Sequence, residues 1–120
     1  MTQARRNLGN SGEDLAAECL KSKNYKIIDK NVNLKYGEMD IIAEDGDYVV
    51  IVEVKTKTIF DQGRPEEMVD WRKKKKLRLL ARGVSQLYPD KNIRIDVVAV
   101  DMTEDTPKIR HIINAVEDLQ

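Results

Sequence analysis

With 120 residues the chain has room for one hydrophobic core but not two, so residues 1–120 are expected to fold as a single domain. A composition 41% apolar and 35% charged excludes a disordered chain, and the longest uncharged apolar run, "YVVIV", is too short to span a bilayer. The 21 basic and 21 acidic side chains cancel, so affinity for phosphates has to come from a local patch. No apolar run follows the basic start "MTQARR", which predicts no secretory leader and a cytoplasmic protein. Cys19 is the single cysteine, excluding an internal disulfide and a clustered-thiolate zinc site.

Leu8, Leu15, Ala16, Cys19 and Leu20 recur at helical spacing and predict a first helix within residues 4–23. Gly9 and Gly12 leave its start open, because each costs about 1 kcal/mol relative to alanine in a helix interior. A start at Ser11, with Asp14 completing a capping box, is the alternative. Glu13 precedes Ala16, Ala17 and Leu20 at helical spacing and points along the buried side. A glutamate there also suits the positive end of the helix dipole. Cys19 reads as buried packing. "YKIIDKNVNL" follows as a strand.

Residues 37–57, "GEMDIIAEDGDYVVIVEVKTK", read as a β-hairpin. A two-residue turn at Asp45-Gly46 sets Ile42 opposite Val49 and Asp40 opposite Ile51. Period two then places Asp40, Ile42, Val49, Ile51, Glu53 and Lys55 on one face, and Met39, Ile41, Val50, Val52 and Val54 on the other. In that register Asp40 and Glu53 are diagonal neighbours, with Cβ atoms roughly 7–8 Å apart. A one-residue slip would separate them onto opposite faces.

"TKTIFDQGRPE" reads as a loop, punctuated by Gly63 and Pro65. A second helix over about 66–87 carries Val69, Lys73, Leu77, Leu80, Ala81, Val84 and Leu87 on one stripe. "IRIDVVAVD" is a further strand, and "KIRHIINAV" a last strand or helix-bearing tail. The elements together describe a mixed α/β domain with a partly antiparallel sheet. Asp96 reads as a strand-edge charge or a partner of Arg94. His111 is the single histidine, so neither a histidine-rich metal site nor triad chemistry is indicated. No glycine-rich phosphate loop is present.

The constellation able to carry chemistry is Asp40, Glu53 and Lys55. Two carboxylates within reach of a common cation suit Mg²⁺ or Mn²⁺, which commonly keep several waters and share substrate phosphates. A lysine on the same face could contact such a phosphate or position water. The bland alternative is a charged, solvent-facing strand, although Ile42, Val49 and Ile51 on that face argue against full solvation. Arg72, Lys73, Lys74, Lys75, Lys76 and Arg78 place six positive charges in seven positions, either a solvated helix face or a phosphate-binding one. Lys73 stands out because its stem follows the apolar stripe while its ammonium can reach a polar rim. Trp71 reads as covering the helix start.

Taken in order, "GNSGE" at 9–13, "GEMDIIA" at 37–43, "VEVKTK" at 52–57, "EEMVDWRKKKKL" at 66–77 and "RIDVV" at 94–98 resemble the bacterial YraN-like family. That family is similar to the archaeal Holliday-junction resolvases. The resemblance implies a restriction-endonuclease-like α/β fold, a mixed central sheet flanked by helices. It implies Asp40 and Glu53 as metal ligands, Glu13 as a further ligand or water-holder, and Lys55 as the phosphate-side or water-orienting group. Lys73 matches a lysine of the family's second helix. The implied activity is Mg²⁺- or Mn²⁺-dependent hydrolysis of DNA, branched or structured DNA included, by a homodimer that pairs two active sites. A non-catalytic nucleic-acid-binding module with the same fold is the alternative. A scaffold whose basic helix engages an acidic protein is a third.

Overall fold

The chain runs α1 (Gln3–Ser22), β1 (Lys26–Leu34), β2 (Gly37–Asp45), β3 (Tyr48–Lys57), α2 (Trp71–Leu87), β4 (Asn92–Asp101) and β5 (Lys108–Ile112). The computed structural model describes residues 3–35, 37–59 and 71–116, with side chains for 12–35, 37–59 and 73–116. Helix α1 is continuous through Gly9 and Gly12 and does not restart at Ser11. It stops at Asn24, whose left-handed φ of 67° lets the Tyr25 N–H donate back to the Leu20 carbonyl and the Asn24 N–H to that of Lys21. Leu20 and Tyr25 bury themselves on the same side of the sheet, completing a hydrophobic C-terminal cap.

Five strands form one sheet in the order β1-β2-β3-β4-β5. Every neighbouring pair is antiparallel except β3 and β4, which are parallel. A parallel pair cannot be closed by a tight turn, and α2 lies in the crossover that joins β3 to β4. Each helix covers one face. Ala16, Ala17 and Leu20 of α1 pack on Ile41, Ala43, Val50, Val52, Val98 and Val100. Leu77, Leu80, Ala81 and Val84 of α2 pack on Ile42, Val49, Ile51, Ile95 and Val97. The inner strands β3 and β4 are therefore buried on both sides, the reason that they read as near-continuous apolar runs. A mixed five-stranded sheet between two helices is the architecture of the restriction-endonuclease-like fold. Among the described residues no helix is long and apolar enough to cross a membrane.

Three details differ from the sequence expectation. The hairpin reverses at Gly46 and Asp47, with Asp45 paired to Tyr48, because Gly46 takes the left-handed φ of 58° at the first turn position. This moves the register by two residues and preserves which side chains share a face. Leu87 closes the α2 stripe in sequence but is exposed at the helix end. Asp96 pairs with Arg94, one of its two expected readings, but is fully buried instead of lying at an edge.

Burial of Asp96 is compensated by a dense shell of donors. Arg94 donates to it from Nε at 2.9 Å and from Nη2 at 3.1 Å, the Asn114 N–H at 3.0 Å and the Tyr25 hydroxyl at 3.3 Å. His111 Nε2 lies 2.7 Å away, and Lys23 Nζ stands 3.0 Å from its Nδ1. A lysine ammonium can only donate, so Nδ1 accepts and Nε2 carries the proton given to Asp96. Burial alone would raise the Asp96 pKa, yet the bonds from His111, Arg94 and the Asn114 backbone hold it below the usual carboxylate range. The group ties the link between α1 and β1 to β4 and β5. Arg94→Ala would leave a buried carboxylate short of its main cation, and chemical denaturation should show a loss of about 3–5 kcal/mol.

Candidate functional site

The β2–β3 ladder ends at the Ile41–Val52 pair, so Asp40 and Glu53 are the next residues on their two strands. The ladder gives way there, because Asp40 Oδ2 accepts the Val54 N–H at 2.8 Å. Glu53 is only 3% exposed, and its Oε1 is contacted by two ammonium groups. Lys73 Nζ of α2 lies at 3.1 Å and Lys55 Nζ of β3 at 3.5 Å. Both lysine side chains keep some solvent access, 33% and 24%, so their charges reach the rim while their stems pack inside.

Asp40 sits where the two faces of the sheet meet. Ile41 packs toward α1, whereas both Met39 and Ile42 pack toward α2, so Met39 does not join Ile41 as simple alternation predicts. The neighbouring strand switches in the same place. Lys30, paired with Ile41, reaches Asp14 of α1 at 3.5 Å, while Val32, paired with Met39, packs on the α2 side. Between them, opposite Asp40, Asn31 adopts a left-handed φ of 53°. That kink is the physical reason for the broken alternation.

Glu13 is carried to this place by α1. Its neighbour Gly12 is buried, and a Cβ there would lie 3.3 Å from Thr56 Cβ and closer still to Thr56 Oγ1. Glycine therefore lets the helix backbone rest directly on β3 beside Glu53 and Lys55. Glu13 is half-buried; its pKa is raised by burial and by Glu38, against a lowering hydrogen bond from Asn31. For Asp40 the pKa is pushed up to about 7, first by burial and then by the Glu53 carboxylate, with Glu13 adding to both. The Val54 N–H and Lys73 oppose the shift.

The structure thus brings Asp40, Glu53, Lys55 and Lys73 together and sets Glu13 within electrostatic reach. Among the described residues no group of three or more His, Cys, Asp or Glu side chains is placed to hold a metal ion. Glu13 acts on Asp40 through its charge. Lys75, Lys76 and Arg78 are exposed on α2 and Lys74 is half-buried, while the side chains of Trp71 and Arg72 and most of the 56–66 loop lie outside the described residues. Sequence reasoning did not single out Asn31 or Thr56. An asparagine inside a strand and a glycine inside a helix were their only local signals.

The family model described as "Uncharacterised protein family UPF0102" matches residues 12–100, from the glycine that seats α1 to the end of β4. The chain belongs to this family. It is 43% identical over 113 residues to a UPF0102 protein of Thermodesulfovibrio yellowstonii, covering 93% of this chain and 97% of that one. A UPF0102 protein of Syntrophomonas wolfei is 42% identical, with 92% and 97% covered. One of Dehalococcoides mccartyi is 41% identical, with 97% and 98% covered. UPF0102 is the YraN-like family that the sequence motifs resemble. Fold and family together are consistent with the restriction-endonuclease-like superfamily and, in general, with nucleic-acid-binding proteins.

Two outcomes test this geometry. Gly12→Ala should destabilise by about 1–3 kcal/mol through overpacking, despite alanine's better helix propensity, and Thr56→Ala in the same chain should recover part of the loss. Asp40 has a folded-state pKa above its ordinary 3.8, so its contribution to stability is full below that value and is lost as pH rises through about 7. Asp40→Asn removes this cost. Its unfolding free energy should exceed the wild type's by roughly 1 kcal/mol or more at pH 8, with the two converging near pH 4.

Proposed function

We propose that this protein is a divalent-cation-dependent nuclease hydrolysing DNA phosphodiester bonds, with branched or structured DNA among its substrates. The observation that carries the proposal is a buried Glu53 with two lysines on one of its oxygens, within electrostatic reach of Asp40 on the neighbouring strand. An all-oxygen donor pair of this kind fits Mg²⁺ or Mn²⁺, which need few protein ligands. Burial and then the Glu53 carboxylate raise the Asp40 pKa, and a cation between the carboxylates would favour the charged form against both. Asp40 and Glu53 would hold the ion. When bound, it supplies an acidified water and offsets charge on the scissile phosphate.

The chain's own residues do the rest. Lys55 and Lys73, already at 3.5 and 3.1 Å from Glu53, donate to the non-bridging phosphate oxygens as charge accumulates there. Glu13, outside the direct pair but facing it from α1, accepts a hydrogen bond from the attacking water and orients it in line. Arg72, Lys74, Lys75, Lys76 and Arg78 hold flanking phosphates without reading sequence. Two copies of the chain would present two such sites to two strands.

Offered linear, nicked, flapped and four-way DNA, the wild type should cleave only with Mg²⁺ or Mn²⁺. Asp40→Ala and Glu53→Ala should each lower the rate by roughly 100-fold or more, and Lys55→Ala by at least about tenfold. Cleavage that survives all three substitutions contradicts the assignment, and binding without cleavage of any substrate favours the non-catalytic module. Protons compete with the cation for Asp40, whose pKa lies near 7, so below that pH apparent cation affinity should fall by up to about tenfold per unit. Lys75→Ala with Lys76→Ala should weaken binding uniformly across sequences and lower the salt dependence by about two phosphate contacts.

A further inference from the structure

Among the described residues three non-glycine positions have a left-handed backbone, and all are asparagines: Asn24, Asn31 and Asn114. Two of them serve turns. Asn24 caps α1, and Asn114 follows β5 with its N–H on Asp96. Asn31 lies inside β1, where a left-handed residue interrupts an otherwise extended strand. Asparagine tolerates this conformation better than most residues, but glycine would adopt it at less cost. Relief of backbone strain alone therefore does not explain a side chain at this position.

The side chain has a specific partner. With its amide nitrogen facing the carboxylate, the orientation that satisfies both groups, Asn31 donates to Glu13 Oε2 at 3.2 Å and to Oε1 at 3.3 Å. Asn31 stands opposite Asp40, between the Lys30–Ile41 and Val32–Met39 pairs, at the point where both strands change face. Glu13 comes from the opposite layer, on a helix seated by Gly12 against Thr56. One end of the Glu13 carboxylate is thus fixed by α1 and the other by β1. Without the second anchor a half-buried glutamate on a helix surface has several rotamers open to it.

We infer that Asn31 is a positioning residue of the candidate site, whose amide clamps the Glu13 carboxylate beside Asp40. The inference rests on the cation-site reading for its purpose, while the clamp itself is a contact that can be tested without any cation. One amide nitrogen shared between both oxygens restrains where the carboxylate lies, a requirement for orienting water on a neighbouring ion. The left-handed backbone aims the amide, and the amide aims the glutamate.

The test has two arms on the full-length protein. In ¹⁵N-labelled protein without metal, the Asn31 side-chain NH₂ resonances should move and exchange faster with water in Glu13→Ala. Unchanged resonances overturn the clamp. In the second arm, free Mn²⁺ is titrated by electron paramagnetic resonance against wild type, N31G, E13Q and N31G/E13Q. N31G keeps the left-handed backbone available, so its fold should survive, as circular dichroism will report. N31G and E13Q should each weaken Mn²⁺ binding by roughly tenfold, and the double variant should be no weaker than either. Wild-type affinity in N31G, or additive losses in the double variant, would overturn the positioning role. A wild type that binds no Mn²⁺ would remove the cation-site reading instead, and the first arm would still decide whether Asn31 clamps Glu13.

Discussion

Asp40 and Glu53 are carried by adjacent strands whose other side chains fill the core, and burial together with the Glu53 carboxylate raises the cost of ionising Asp40. The surrounding structure answers that repulsion. Lys73 arrives from α2 and Lys55 from β3, both on Glu53 Oε1, while the Val54 N–H leaves the sheet ladder to serve Asp40. Burial and the Glu53 carboxylate outweigh these groups and push the Asp40 pKa up to about 7. A pair of carboxylates kept together against their own repulsion is a poor way to stabilise a sheet and a suitable way to bind a cation.

The fold supplies this arrangement with few parts. The parallel β3–β4 pair requires a crossover, and the crossover contains α2, whose apolar stripe packs on the sheet and whose Lys73 reaches Glu53. On the other side α1 approaches β3 closely because Gly12 has no side chain to meet Thr56. Asn31 and Asp40 mark the place where the facing of β1 and β2 switches, so groups from both layers converge on one spot. The buried Arg94–Asp96–His111 group lies on the α1 side, away from the Glu53 face, and acts as a structural tie.

Much of this was legible in the sequence because of parity. Period two puts Asp40, Glu53 and Lys55 on one face, and the misplaced turn shifted the register by two residues, an even number that leaves facing intact. The stripe of Leu77, Leu80, Ala81 and Val84 was equally legible, whereas Leu87 continues the period past the point where the sheet can cover it. Glu13 was different: helical spacing pointed it inward, but only the family resemblance joined it to the hairpin, since its proximity depends on a long-range contact at Gly12. Of the two readings of Asp96, the partnership with Arg94 holds and the edge position does not, because nothing local reveals that Tyr25 and His111, 71 and 15 residues away, converge on it. Its flanking apolar residues on both faces were the overlooked signal of a central strand. Met39 departed from alternation because a left-handed Asn31 on the neighbouring strand cannot be inferred from the hairpin itself.

The most direct measurement is a carboxyl ¹³C NMR titration of Asp40, with and without Mg²⁺. The account predicts a midpoint near 7 in the metal-free protein and, with saturating Mg²⁺, a fall to below about 5 as the ion favours the charged form. An Asp40 that titrates near its ordinary 3.8, or a raised midpoint that Mg²⁺ leaves unmoved, would contradict it.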